Sequence, residues 1–385
     1  MSTANQSLAE RVQAVSQRAI DEGRIVGSVV LVAQRGELVY AGAAGYADRE
    51  LQRPMRRETQ FRLSSVSKPY ITLAAMRMIE QQKLGLDDAV SRWLPWFTPA
   101  LADGHRPEIK IRHLLSHTAG LDYRLNQPAD GPYQRLGIQD GMALSSLTLE
   151  QNLQLLAQAE LLAVPGSLFN YSLAIDVLGA VLEQAAGEPL PQVFEHWVAQ
   201  PLGLGNTGFY TTNADNLATA YHDTSARPEP IQEGMRLTLP EGFGFDIELS
   251  PSRALDPLAY ASGGAGMVGD ADDVLRLVET LRIGGKGILQ PATVALMRQP
   301  HVGAEAEVQG PGWGFGFGGA VLTDAQLAAT PQHNGTLQWG GVYGHSWFCD
   351  PQAALSVVAL TNTAFEGMSG QYPQQIRDAV YGIGG

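Results

Sequence analysis

With 385 residues, 44% hydrophobic and 17% charged, the chain can bury one large core or two smaller ones, and it has no run of about 18 apolar residues that would span a bilayer. A formal net charge of −13 without a basic cluster argues against nucleic acid or an anionic membrane surface as partner. Cys349 is the sole cysteine, so no internal disulfide can form and no Cys/His set offers a zinc site; with no basic-then-apolar leader in Met1 to Glu10, the expected location is cytoplasmic.

Apolar residues Leu8, Val12, Val15 and Ile20 recur at helical spacing and stop at Gly23, which predicts an opening helix from Leu8 to Glu22. Ile25 to Ala33 and Glu37 to Ala43, separated by Gln34-Arg35-Gly36, read as a β-hairpin. Helical patterns follow at Val66 to Gln82, Ile111 to Leu115, Leu149 to Ala159, Leu173 to Ala186 and Leu190 to Ala199, and no strand is expected among them up to about Leu249. Helices are predicted again at Ala271 to Leu281 and Pro291 to Arg298. Strands are predicted at Gly312 to Leu322, Thr336 to Trp339, Val342 to Cys349 and Leu355 to Thr361, and a last helix near Gln374 to Tyr381.

The ends of the chain are therefore β-rich and the middle helical. The expected fold class is α+β: an antiparallel sheet, completed non-locally by the opening hairpin, flanked by the N- and C-terminal helices and interrupted by an inserted, mostly helical domain. Residues 1–63 and 252–385 would form the sheet domain and 64–251 the helical one, with a ligand cleft between them.

Three blocks carry candidate chemistry. In the first, Ser65 and Lys68 are three apart at the start of a helix, so they share a face and the lysine can reach the serine hydroxyl, which is a weak nucleophile without such a neighbour. The N–H groups at that helix start would favour the negative charge of an attacked acyl group. Of the lysines, Lys68, Lys83, Lys110 and Lys286, only Lys68 has a serine three residues before it. Helix capping by Ser64, Ser65 or Ser67 is the competing reading. In the second block, Asn170-Tyr171-Ser172-Leu173 places Tyr171 where a loop meets a helix. A phenol becomes a useful base only beside a cation, which Lys68 can supply; packing at the helix start is the plainer role. In the third, Gly340 and Gly341 follow Trp339 within a strand pattern and mark either close approach by another group or a bulge, while the N–H of Val342 is placed to complete an oxyanion hole.

Together these blocks resemble the serine β-lactamase and penicillin-binding-protein superfamily, and within it the family VIII carboxylesterases, similar in fold to class C β-lactamases. The resemblance extends through His113-Leu114-Leu115-Ser116-His117-Thr118-Ala119-Gly120-Leu121, Pro165-Gly166, Pro201-Leu202-Gly203-Leu204 and Ser262-Gly263-Gly264-Ala265-Gly266-Met267, in order and over most of the chain. It implies a β-lactamase/transpeptidase-like fold, Ser65 as nucleophile, Lys68 and Tyr171 as proton-transfer pair, and the N–H groups of Ser65 and Val342 as oxyanion hole.

Two departures from that pattern bear on substrate. Where class C enzymes carry Lys-Thr-Gly, this chain has Trp339-Gly340-Gly341, and where they carry Tyr-x-Asn it has Tyr171-Ser172-Leu173. Both changes remove polar recognition of a β-lactam and leave acyl transfer intact, so uncharged esters fit better. Trp339, Gly340, Gly341, Leu173 and His345 are the expected substrate-binding residues, and side chains of the loop from Asp122 to Leu144 are expected to shape the pocket.

The expected function is a serine carboxylesterase acting on small, short-acyl esters through an acyl-serine intermediate, with no metal or organic cofactor. A β-lactamase, a D-alanyl-D-alanine peptidase or an acyltransferase would use the same residues, and a non-catalytic sensor would be betrayed by failure to react with a fluorophosphonate. His113 and His117 are read as structural and Cys349 as an inert core thiol. The absence of Gly-x-Ser-x-Gly argues against an α/β-hydrolase.

Overall fold

The computed structural model describes residues 7–383. Helix α1 (Leu8–Asp21) begins with a reciprocal cap: Ser7 Oγ accepts from the Glu10 N–H at 3.3 Å and the Glu10 carboxylate accepts from the Ser7 N–H at 2.8 Å. Strands β1 (Gly27–Gln34) and β2 (Glu37–Asp48) are joined by Arg35 and Gly36, both left-handed at φ 55° and 87°, the geometry that matches the twist of a two-residue hairpin. The short strand β3 (Arg53–Pro54) pairs with β2. Helices α2 (Ser67–Glu80), α3 (Ala174–Ala186) and α4 (Ala271–Arg282) follow, then strands β4 (Trp313–Phe315), β5 (Ala320–Leu322), β6 (Leu337–Gly341), β7 (His345–Asp350) and β8 (Leu355–Thr361), and helix α5 (Gln371–Tyr381).

The eight strands form one antiparallel sheet in the order β4-β5-β6-β7-β8-β1-β2-β3, so the opening hairpin joins the late strands through β1 against β8. Alternation along β1 divides its side chains between two layers. Val30 and Val32 pack with Val12 and Ala19 of α1 and Tyr372 and Ile376 of α5. Val29 and Leu31 face the main core with Val274, Leu277 and Val278 of α4. That same core continues through Ile71 and Ala75 of α2 to Leu178 and Val181 of α3.

Three expectations are corrected. The region expected to be free of strands holds two small hairpins, Tyr221–His222 with Glu229–Pro230 and Met235–Thr238 with Asp246–Leu249; runs of two to four residues are too short for periodicity to register. The single strand expected over Gly312 to Leu322 is the β4–β5 hairpin, folded back at Gly318 with φ 97°. Val342 does not open a strand: Val342-Tyr343-Gly344 form the turn between β6 and β7, with Gly344 at φ 109°.

Candidate active site

Ser65 lies in a 3-10 turn, Ser64–Val66, that runs into α2. The turn is tied from behind: Phe61–Arg62 pairs with Val268–Gly269, and the Leu63 N–H donates to Met267 O at 2.8 Å. None of the three serines is a helix N-cap, those positions being Leu63 and Val66. Ser67 Oγ accepts from the Met267 N–H at 3.1 Å, and Ser64 is fully buried with its hydroxyl unpartnered and its backbone left-handed at φ 45°. That conformation costs a serine about 1–3 kcal/mol and persists only where the surroundings enforce it. Ser65 itself is half-buried.

Two proton-carrying groups meet at the Ser65 hydroxyl. Lys68 Nζ donates to Ser65 Oγ at 3.1 Å and to Gly264 O at 2.7 Å, and Tyr171 Oη donates to Ser65 Oγ at 2.7 Å. Lys68 is 2% exposed, and its ammonium lies 4.5 Å from the Tyr171 ring centroid and 5.4 Å from that of Tyr123. Tyr171 is held among aromatic rings, at centroid distances of 4.8 Å to His117, 5.1 Å to Trp339 and 5.4 Å to Tyr123. Trp339 Nε1 donates to Tyr171 Oη at 3.2 Å, so the phenol oxygen has a neutral donor besides its contact with the serine.

The surroundings are low in polarity. Burial, reinforced by the Lys68 charge, pushes the His117 imidazole well below its usual range, and its Nδ1 accepts from the Ser172 N–H at 3.2 Å. Burial, then the neighbouring Tyr171 and Asp176, pushes the Tyr123 phenol well up. Asp176, in the first turn of α3, is 1% exposed. Its carboxyl is raised by burial and lowered in smaller part by Ser262, Lys68 and the Gly264 backbone, although neither oxygen makes a hydrogen bond of normal geometry. Tyr123 falls within the loop expected to shape the pocket. Asp176 and the Gly264 carbonyl carried no local signal that would have linked them to Lys68.

The third block meets the Ser64–Val66 turn, a close approach of the kind the glycines suggested. A Cβ on Gly341 would lie 2.5 Å from both Leu63 O and Ser64 Oγ, so only glycine lets β6 come this close; one on Gly340 would meet His345 O at 2.5 Å. No hydrogen bond within the described residues engages the N–H of Val342 or of Ser65. Trp339 is half-buried against Tyr171 and Phe315. Two expected pocket residues are elsewhere. Leu173 is fully buried in the core at the start of α3, and His345 is 1% exposed behind Gly341, its Nε2 donating to Arg62 O at 2.8 Å. Both miss the cleft because helix and strand geometry turn every other or every third side chain inward, a choice that spacing alone leaves open.

His113 Nδ1 accepts from the Lys110 N–H at 3.1 Å, and among the described residues no group of three His, Cys, Asp or Glu side chains could hold a metal ion. Cys349 is fully buried with its thiol pushed up to about 12, as an inert core thiol should be. The hollow lined by Trp96, Arg106, Gln154 and Glu160 contains none of the groups around Ser65.

The beta-lactamase family model matches residues 8–381. The chain belongs to the beta-lactamase family. Within it, the chain is 51% identical over 375 residues to esterase EstB of Burkholderia gladioli, covering 97% of this chain and 95% of that one. Its structure superposes with a TM-score of 0.97 on EstCE1, a hydrolase with promiscuous acyltransferase activity, at 84% identity, covering 99% of this chain and 100% of that one. Simvastatin synthase from Aspergillus terreus, at 22% identity and a TM-score of 0.75 over 98% of each chain, shares the fold. The family and the α+β, β-lactamase/transpeptidase-like fold implied by the sequence motifs therefore hold.

Proposed function

We propose that this chain is a serine carboxylesterase that hydrolyses small, uncharged, short-acyl esters through an acyl-Ser65 intermediate. The observation that carries the reading is the convergence of Tyr171 Oη and Lys68 Nζ on Ser65 Oγ at 2.7 and 3.1 Å. In acylation the Tyr171–Lys68 pair starts one proton short of the fully protonated form, and the Ser65 oxygen bonds to the ester carbonyl carbon while its proton passes to that pair. Collapse of the tetrahedral intermediate breaks the bond to the leaving alkoxide, which takes that proton away as alcohol. Water then repeats the sequence on the acyl-enzyme and returns the proton to Ser65. The N–H groups of Ser65 and Val342 stabilise the oxyanion in both halves. Trp339 and Gly340 border the acyl group, and Trp339 stands where the β-lactamase pattern has a lysine for the substrate carboxylate.

The relatives named as esterases support this reading. We also propose a domain division at 63/64 and 251/252, supported by the meeting of Tyr171 from the helical part, which donates to Ser65, with Trp339 from the sheet, which donates to Tyr171. We place the protein in the cytoplasm, a reading supported by its lone, buried cysteine and tested by cell fractionation; no helix among the described residues is long and apolar enough to cross a membrane. The test of function is turnover of p-nitrophenyl acetate beside nitrocefin, with peptide mass spectrometry after fluorophosphonate treatment. Ester turnover with the adduct on Ser65 is expected. An adduct elsewhere, or nitrocefin turned over faster than the ester, overturns the reading. Acyl transfer to an alcohol is a second reading, favoured by the activity of EstCE1, and ester products formed with added alcohol would establish it.

A further inference from the structure

The two N–H groups assigned to the oxyanion hole belong to separate elements. Ser65 sits in the turn before α2, and Val342 in the turn between β6 and β7. Their spacing depends on how firmly those turns are held together, because a donor misplaced by a fraction of an ångström loses much of its effect on a developing charge. The contact between the turns is tight but largely apolar or repulsive. Gly341 abuts Leu63 O and Ser64 Oγ, neither of which receives a hydrogen bond from it, and Ser64 is strained.

His345 is the exception. It is the first residue of β7 and pairs with Gly341, one residue before Val342. Its Nε2 reaches Arg62 O, three residues before Ser65, at 2.8 Å. Among the described residues no other hydrogen bond joins strands 337–350 to residues 61–66. The carbonyl can only accept, so Nε2 carries the proton and Nδ1 is bare. The ring is fixed further by an edge contact with Phe61 at 5.7 Å. Burial keeps the imidazole neutral, with its pKa pushed down to about 4 against the weaker, opposing contacts of the Arg62 and Gly344 backbone.

We infer that His345 is a positioning residue that clamps the Ser65 turn to the Val342 turn and so sets the separation of the two oxyanion-hole donors. The inference rests on the acyl-serine reading. The clamp also occupies the carbonyl that a 3-10 continuation would offer to the Ser65 N–H, and it helps hold Ser64 in its strained conformation. His345 touches no reacting atom. Its effect belongs to the transition state, where negative charge resides on the carbonyl oxygen, and not to ground-state ester binding.

The test compares His345→Phe, which keeps a ring and loses the donor, with His345→Gln, whose side-chain amide can still reach Arg62 O. Three quantities are measured for each: kcat and KM with p-nitrophenyl acetate, the inhibition constant of a phenylboronic acid that mimics the tetrahedral oxyanion, and Tm. His345→Phe is expected to lower kcat about 10- to 100-fold with KM within about threefold, and to weaken the boronic acid by a similar factor. His345→Gln is expected to recover most of both losses. A folded Phe variant with kcat and boronic-acid affinity unchanged overturns the inference. So does a Gln variant impaired as much as Phe, which would assign His345 to packing alone. Should the Phe variant not fold, His345→Asn, whose shorter amide is drawn back from Arg62 O, takes its place with the same expected loss. Labelling of wild-type Ser65 by fluorophosphonate separates the two levels: an unlabelled wild type sinks the acyl-serine reading and this inference with it, whereas a labelled wild type with an indifferent His345→Phe sinks only the inference.

Discussion

At Ser65 the hydroxyl has Tyr171 and Lys68 within hydrogen-bond reach, and Lys68 also lies over the Tyr171 ring, so the two groups are electrostatically one unit. Lys68→Ala and Tyr171→Phe are each expected to lower kcat at least about a hundredfold, and the double variant to be little worse than the poorer single one. Independent, multiplying losses would mean that the residues serve separate steps. Trp339 offers Tyr171 Oη a neutral N–H where the β-lactamase pattern has a lysine. Trp339→Lys is expected to raise the ratio of nitrocefin to p-nitrophenyl acetate turnover by about tenfold, since an ammonium there can meet a substrate carboxylate for a gain of at least about 1.4 kcal/mol. An unchanged ratio would remove Trp339 from substrate discrimination. The pairing of Ser65 with Lys68 was legible from residue type and spacing, and Tyr171 joined it through the family resemblance. His345, expected to line the pocket, lies buried behind it, and the nearness of Asp176 to Lys68 comes from packing that spacing does not show.

Strand β6 reaches the Ser65 turn because two successive glycines remove the side chains that would hold it off. Gly341→Ala places a methyl group 2.5 Å from Leu63 O and Ser64 Oγ, so the strand or the turn must shift. The variant is expected to lose about 1–3 kcal/mol of stability in urea unfolding and at least about tenfold in kcat/KM. Wild-type values for both would mean that the strand and the turn are not in register contact. Glycines in a strand pattern announced a close approach. They did not name its partner, which is more than 270 positions away along the chain as numbered.

Across the whole molecule, one hydrophobic core links the sheet to the helical part, and a buried imidazole beside the nucleophile turn makes part of the stability depend on pH. His345 titrates at about 4 when folded and near 6.5 when unfolded, so between those values the unfolded chain binds the extra proton and stability falls as pH drops. The full contribution is about 3 kcal/mol. Asp140 and Asp223, both raised by burial to about 7, act in the opposite sense, since their folded forms hold protons that the unfolded chain releases above about pH 4. The difference between wild type and His345→Gln isolates the imidazole. Measured by urea unfolding, it is expected to move against the wild type by up to about 3 kcal/mol between pH 7 and pH 4. A difference independent of pH would mean that His345 is not buried as a neutral ring.

The sequence by itself determined the opening helix, the hairpin at Arg35-Gly36, the principal helices and the reach of Lys68 to Ser65, because each rests on local periodicity, turn chemistry or a three-residue spacing. It also determined the family, through motifs spread in order along the chain. The two small hairpins after Tyr221, the turn at Val342, the inward direction of Leu173 and His345, and the partnership of Gly341 with Leu63 and Ser64 were decided only by the tertiary structure. Short strands carry too few residues for a period, and a side chain's direction depends on which face its element buries. Contacts across hundreds of residues follow from packing that no local window contains.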